Sequence, residues 1–408
     1  MSSTSRFAAL QGFNLRVFVV GSTLSYVGSF VQMFAQSWLV LSITGDRASL
    51  PYSIGLSTLP LFLFGTWGGS VVDRLDNRRL MMFTTTANAT LALVLAVLVQ
   101  RGQISVGAVY IVATVSGFVS VFERPAMQAV LSELAPPEHI TSAVALNAMV
   151  FPIARLLGPP LASLVIAASS IAACFYVNAA SYLFFFAALL LLRRRDMIAR
   201  VARCPRKGMV TAGLRYARHN PVVGPVLLGM FFVGLAGFNF TTVMPLMAKY
   251  TFHVSEGRLS VPLSLSAVGS IAAGIAVAGL KRPTIRWLGV CAVSFGVLLA
   301  MYGGAPSYLG WVLVSLPVGF AATVYTTMVT QLLQKSSRPD MLGRVMALYG
   351  IAFLGTTPLG ALCVALLSTS FSTRAPFLVG GTVVFLTGVA TLVFVTRSRL
   401  STTDAVAG

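Results

Sequence analysis

Twelve apolar runs, each long enough to cross a bilayer, use nearly the whole chain. They fall at about 14–42, 51–73, 78–100, 104–128, 140–168, 170–193, 222–250, 257–281, 284–303, 306–331, 341–369 and 372–397. A membrane-crossing helix needs about 20 apolar residues. In hydrocarbon, every backbone N–H and C=O has to find its partner inside the protein. The runs therefore predict an all-α membrane protein with twelve transmembrane helices and no large extra domain. Composition agrees: 56% of the residues are hydrophobic and 10% charged, whereas soluble domains carry about a quarter charged residues. Prolines inside the runs (Pro60, Pro152, Pro245, Pro317, Pro358) are tolerated where neighbouring helices satisfy the freed backbone groups. The opening MSSTSRFAALQGFNLRV lacks an apolar stretch ending in a small-residue cleavage site, so the first run is expected to persist as a helix.

The formal charge is +19, which in a soluble protein would point to nucleic acid. Here the basic residues sit in short loops between apolar runs. With the N-terminus inside, twenty-three of the 29 Lys and Arg residues fall on the inner side and five on the outer, and one more, Arg155, lies deep inside a helix. The positive-inside rule then places both termini in the cytoplasm and removes any need for a nucleic-acid partner. The long basic stretch 194–220 divides the chain into an N-terminal six-helix bundle (1–193) and a C-terminal one (221–408), with itself as a cytoplasmic linker. Its second part, GMVTAGLRYARHN, has the pattern of a short amphipathic helix at a membrane surface. Shifting the chain by 202 residues lays PPEHITSAVALN over RPDMLGRVMALY, Phe151 over Phe353 and Gly158 over Gly360. The two bundles are thus expected to be pseudo-symmetric, a common transporter construction with the substrate site near the midplane.

The loop between the second and third runs, GGSVVDRLDNRRL (68–80), is the densest local signal. Gly69 is expected to permit close helix approach. Asp73 is an acid at a helix C-terminus, where the macrodipole disfavours it unless cations or another helix N-terminus lie near. Arg74, Arg78 and Arg79 supply cations, and the start of the eleventh helix, to Arg344, a helix terminus. The pattern GxxxDRxxxRR resembles the signature loop of the major facilitator superfamily. That resemblance implies the major facilitator fold and a gating latch at Gly69, Asp73, Arg74 and Arg78, to which the charges and the helix terminus nearby add Glu123 and Arg344. Two positions depart from the usual pattern: Asp76 stands where Gly is commonest, and Asn77 where a basic residue is expected. The matching C-terminal loop, GIAVAGLKRPTIR, has no acid. The stretches FVQMFAQSWLVLSITG, FERPAMQAVLSELAPPE, ALNAMVFPIARLLGPPLA and LGRVMALYGIAFLGTTPLGAL resemble the branch holding the enterobactin exporter and macrolide- and tetracycline-type efflux proteins. The resemblance implies export of a siderophore, antibiotic or related metabolite by proton antiport. The protein would act as a monomer in the bacterial inner membrane, with substrate, protons and lipid as its partners.

Arg155 lies about fifteen residues into the fifth run, about 22 Å along it. A midplane cation normally faces a cavity or a partner. There it either braces the bundle or meets an anionic or carbonyl-rich ligand. Asn147 and Phe151 share its helix face, and Gln32 and Gln36 are one turn apart on the first helix. Together these five outline a cavity suited to amphiphilic ligands, although each amide alone also serves to join helices. Gly158 and Pro159, with Pro358 and Gly360 in the second half, mark close packing and kinks. Ala154, Gly158 and Ala162 resemble the antiporter motif of drug exporters, with alanine at two positions where glycine is expected. None of the ten acids lies at a predicted midplane. Glu123, at the inner end of the fourth helix, and Asp73 are the nearest candidates for proton coupling, and Glu123 is expected to pair with the loop arginines. With Asp73 and Arg155 both in the first half, the second half is expected to supply mostly shape.

Four cysteines and three histidines, none clustered, point to no metal, cofactor or disulfide framework. No GxxxxGK[ST] motif and no nucleophile–base set is present, so neither an ATP-driven pump nor an enzyme is expected. An uptake carrier on the same fold and a non-transporting membrane sensor remain the alternatives.

Overall fold

The computed structural model describes residues 12–134, 140–197, 209–277 and 283–397, without the side chains of 66, 140–149, 196 and 209–210. Among the described residues there are fifteen α-helices. The first six are α1 (Phe13–Thr44), α2 (Ser49–Val72), α3 (Asn77–Gln100), α4 (Val106–Leu134), α5 (Ile140–Ala168) and α6 (Ile171–Leu191). A short helix α7 (Met209–His219) follows, then α8 (Val223–Gly237), α9 (Phe240–Tyr250), α10 (Glu256–Val277), α11 (Ile285–Gly304), α12 (Tyr308–Ser336), α13 (Leu342–Phe353), α14 (Thr357–Ser370) and α15 (Ala375–Arg397). Eleven segments are long and apolar enough to cross a membrane, counting α8–α9 and α13–α14 as one each. The 24-residue α2 holds a shorter apolar stretch at Ser49–Gly65 and completes the twelve.

The chain divides into two compact units. The first takes residues up to Gly45 and Leu56–Pro205; the second takes Asp46–Gly55 and the rest. In the first unit, α1 packs on α5 and α6, and α3 on α4 and α6. At one end, Leu15 and Phe18 of α1 meet Val72, Met81, Met127, Val130 and Phe185 in a dense apolar cluster. Lipid is as apolar as these side chains, so what joins the helices is close packing and hydrogen bonding rather than the hydrophobic effect. Arg193 closes that end: its N–H donates to Asn14 Oδ1, and Asn14 Nδ2 donates back to its carbonyl, both at 2.9 Å.

In the second unit, α11 packs on α15, α10 on α12, and α8 on α13 and α15. Phe252 and Tyr302 stack on Trp311 at 4.9 and 5.6 Å between ring centroids. The Asp46–Gly55 stretch is fixed here as well. Arg47 donates to Ser368 O at 3.3 Å and lies 5.4 Å above the Tyr250 ring. The stretch read as an amphipathic helix does form α7, and one face packs on α13, with Gly213 and Ala217 buried. Tyr216 Oη accepts from Arg338 N–H and Asn220 Nδ2, both at 3.2 Å.

Two expected single helices are broken. The seventh stops at Gly237 and restarts at Phe240; the eleventh stops at Phe353 and restarts at Thr357. Pro245 lies too far into α9 to account for the first break. Pro358 stands at the start of α14 and, having no N–H, leaves the Leu354 carbonyl to the N–H of Thr357 at 3.2 Å, so it contributes to the second. By contrast α5 runs on through Pro152, Pro159 and Pro160.

Candidate functional site

The loop from α2 to α3 is fastened by its own residues. Asp76 caps α3, accepting the Arg79 N–H at 3.1 Å, and its second oxygen meets Arg79 Nε and Arg194 Nη2 at 3.4 Å. Asn77 Nδ2 donates to Glu133 Oε1 at 2.6 Å, tying the start of α3 to the end of α4. Arg78 donates to Leu189 O and Leu190 O at 2.7 and 2.9 Å, satisfying carbonyls that the C-terminus of α6 leaves open. The two departures from the signature loop thus have a local reason: one is a helix cap and the other a bridge to α4. Asp73 is half-buried, its N–H bonded to Gly69 O at 3.1 Å, and Arg74 is exposed. The close approach falls at Gly68 rather than Gly69. A Cβ on Gly68 would stand 2.3 Å from Val121 Cγ1 and 2.6 Å from Val121 O, whereas one on Gly69 would meet nothing within 4 Å. In the second unit, Arg344 bonds Met341 Sδ at 2.8 Å and packs against Gly213.

Glu123 does not take the loop arginines as its hydrogen-bond partners. Its carboxylate accepts from Asn88 Nδ2 of α3 at 2.9 Å, and it lies within electrostatic reach of Tyr26 and Tyr182. Its position on α4 faces the interior of the first unit, which is why a helix partner holds it. Around it run further polar contacts. Tyr182 Oη and Ser29 Oγ share a hydrogen bond of 3.1 Å, Asn178 Nδ2 donates to Gln32 Oε1 at 2.7 Å, and Ser181 Oγ donates to Asn178 Oδ1 at 3.0 Å. Gln32 is therefore joined to α6, and Gln36 is half-buried one turn on. Phe151 is 54% exposed and meets Tyr26 and Phe30 edge-on at 6.3 and 5.1 Å. Arg155, one turn along α5, is half-buried. The side chain of Asn147 lies outside the described residues. Gly158 and Pro159 are buried, and a Cβ on Gly158 would come 2.3 Å from Phe30 Cβ, so α5 touches α1 there.

Chemically, the first unit holds a carboxylate, phenols, amides and a guanidinium on unbroken helices. Such groups bind polar ligands and move protons when a ligand or ion reaches them. Sequence reasoning missed Tyr26, Ser29, Asn88, Asn178, Ser181 and Tyr182. Asn88 and Asn178 stand out as amides inside apolar runs, but only the fold shows which acid and which glutamine they meet.

The family model of transmembrane secretion effectors matches residues 4–407. The chain belongs to that family. This chain is 22% identical over 380 residues to macrolide efflux protein A of Streptococcus pyogenes, covering 89% of this chain and 91% of that one. It is 21% identical over 263 residues to the staphyloferrin A transporter of Staphylococcus aureus (strain NCTC 8325 / PS 47), covering 63% of this chain and 65%, just under two thirds, of the relative. Among solved structures, the nucleoside transporter NupG superposes with a TM-score of 0.74 at 12% identity, covering 94% of this chain and 99% of that one. The peptide transporter POT in complex with sulfate superposes at 0.76 and 12%, covering 95% of each chain. These likenesses fix the fold. The chain is a multi-pass membrane transporter of the major facilitator type.

Proposed function

We propose that this transporter exports small organic molecules by proton antiport and alternating access. It would lie in the bacterial inner membrane as a monomer with both termini in the cytoplasm. The observation that carries the reading is Glu123, an acid inside a spanning helix, bonded to Asn88 and close to Tyr26 and Tyr182. An ionisable group at such a position is by default a transport residue. In this reading Glu123 takes up and releases the coupling proton. Gln32, Gln36, Asn147, Phe151 and Arg155 line the substrate path, and Gly69, Asp73, Arg74, Arg78 and Arg344 form the latch. Residues 1–193 and 221–408 act as the two moving bundles, joined through 194–220. Likeness to macrolide efflux protein A supports the outward direction.

The test is flux of labelled erythromycin in proteoliposomes under an imposed pH gradient. Glu123→Gln is expected to reduce gradient-driven flux at least 10-fold while leaving erythromycin counterflow in place. Gradient-driven flux at the wild-type rate would remove Glu123 from the coupling step. Likeness to the staphyloferrin A transporter favours a second reading, with a siderophore as substrate. Arg155 suits an anionic group of such a ligand. Movement of staphyloferrin A, but not erythromycin, in the same vesicles would select it.

A further inference from the structure

The two helix breaks in the second unit are built alike. In an uninterrupted α-helix the carbonyl of residue i accepts the N–H of residue i+4. Leu235 O would take the N–H of Asn239, and Ala352 O that of Thr356. Among the described residues neither backbone bond is made. Instead Asn239 Nδ2 donates to Leu235 O at 2.8 Å. Thr356 Oγ1 donates to Ala352 O at 3.3 Å and Phe353 O at 3.0 Å. In both breaks a side chain serves the acceptor that its own backbone N–H would serve in a straight helix. An asparagine just before a helix ordinarily turns forward to cap it; Asn239 makes no such bond. Both side chains are out of solvent, at 7% and 1% exposure.

The breaks also face each other across glycines. A Cβ on Gly360 would stand 2.6 Å from Asn239 Oδ1 and 2.8 Å from Leu235 O. One on Gly234 would stand 2.7 Å from Ala352 O and 2.9 Å from Thr356 Oγ1. Phe238 and Phe353, at the edges of the two breaks, meet edge-on at 5.0 Å. Each break therefore has a bare stretch of the other helix laid over its substituted hydrogen bond.

An unpaired carbonyl in the membrane is strongly disfavoured, because no water is there to take its place. Opening a helix there is strongly opposed unless another donor takes over. Where one does, part of the cost of opening is offset at that carbonyl, which favours an element with two arrangements. We propose that Asn239 and Thr356 are positioning residues for transport. Their side chains and backbone N–H groups exchange on the Leu235 and Ala352 carbonyls as α8–α9 and α13–α14 straighten and break together. The breaks are one hinge because each glycine contact holds one helix to the substituted bond of the other.

The test uses the full chain in nanodiscs, read by hydrogen exchange over 235–241 and 352–358, together with erythromycin flux. Only the flux arm rests on the transport reading above. In the wild type, both segments are expected to exchange at least 10-fold faster than the middle of α8. Asn239→Leu and Thr356→Val are expected to slow that exchange toward the rate of an unbroken helix. They should also lower flux at least 10-fold with erythromycin binding retained. Asn239→Ser and Thr356→Ser keep a donor and are expected to restore both. Wild-type exchange in the Leu and Val variants would overturn the proposal, as would Ser variants that behave like them. The Thr356 pair differs by so little in volume that it decides the matter if Asn239→Leu does not fold. If the wild type does not move erythromycin, the substrate reading falls, and hydrogen exchange alone still tells whether the hinge exists.

Discussion

The two units place their polar groups in opposite ways. The first keeps α1 and α5 whole and puts polarity in side chains: Glu123 with Asn88, Gln32 with Asn178, Tyr182 with Ser29. The second has, among the described residues, no acid inside a spanning helix away from its ends, and interrupts α8–α9 and α13–α14, so that its polarity is backbone at two breaks. The repeat-equivalent glycines show the split on one position. Gly158 lies against the apolar Phe30, whereas Gly360 lies against the amide of Asn239. The same close contact serves rigid packing in one unit and, in the proposed hinge, a mobile joint in the other. The expectation that the second half supplies mostly shape is thereby refined, because its shape is interrupted where two helices touch.

The largest effect should come from those glycines. Gly158→Ala pushes a Cβ to 2.3 Å from Phe30 Cβ and 3.2 Å from Phe30 C, so the α1 backbone has to move. A cost of about 2–3 kcal/mol is expected from overpacking. Gly360→Ala brings a Cβ to 2.6 Å from Asn239 Oδ1 and 2.8 Å from Leu235 O, longer contacts than at Gly158, and about half that cost is expected. Thermal unfolding in detergent reads both, and equal costs would erase the distinction between the units. A smaller effect tests the loop of the first unit. Asp76→Ala removes the α3 cap and should cost about 1 kcal/mol. Gly69→Ala, with open space around it, should stay within about 0.5 kcal/mol. If the two changes cost the same, the loop is not held by its cap. The smallest effect is the coupling between Gln32 and Asn178. A double-mutant cycle with leucine at each should give about 0.6 kcal/mol, the usual size for a hydrogen bond between spanning helices. A coupling near zero would mean that side-chain pairs do not hold the first unit together.

The spanning pattern was legible because lipid forces long apolar runs, and the charges marked the loops. Glu123 was legible as an acid near the end of a run, but its partner was not. The loop arginines are close in sequence, whereas Asn88 is close only after α3 packs on α4. Gly69 was read as the close approach because a glycine at a helix end permits one, and the contact belongs to its neighbour Gly68. The breaks were illegible for a different reason. Proline is the visible sign of an interrupted helix, but Pro245 stands too far beyond its break, and nothing in the sequence sets Pro358 apart from Pro152, Pro159 and Pro160, which α5 runs through. Asn239 and Thr356 each look like an ordinary polar residue in an apolar run until the acceptor of the side chain is seen.

Trp311 gives the molecule an optical consequence. Of its four tryptophans, Trp67 and Trp287 are 57% and 60% exposed, while Trp311 is wholly buried between Tyr302 and Phe252. Its indole N–H has no hydrogen-bond partner among the described residues. An indole in such surroundings emits at short wavelength. A chain keeping only this tryptophan would carry an internal fluorophore at the start of α12, and any loosening of the α9–α10 segment that bears Phe252 would appear as a shift of its emission to the red.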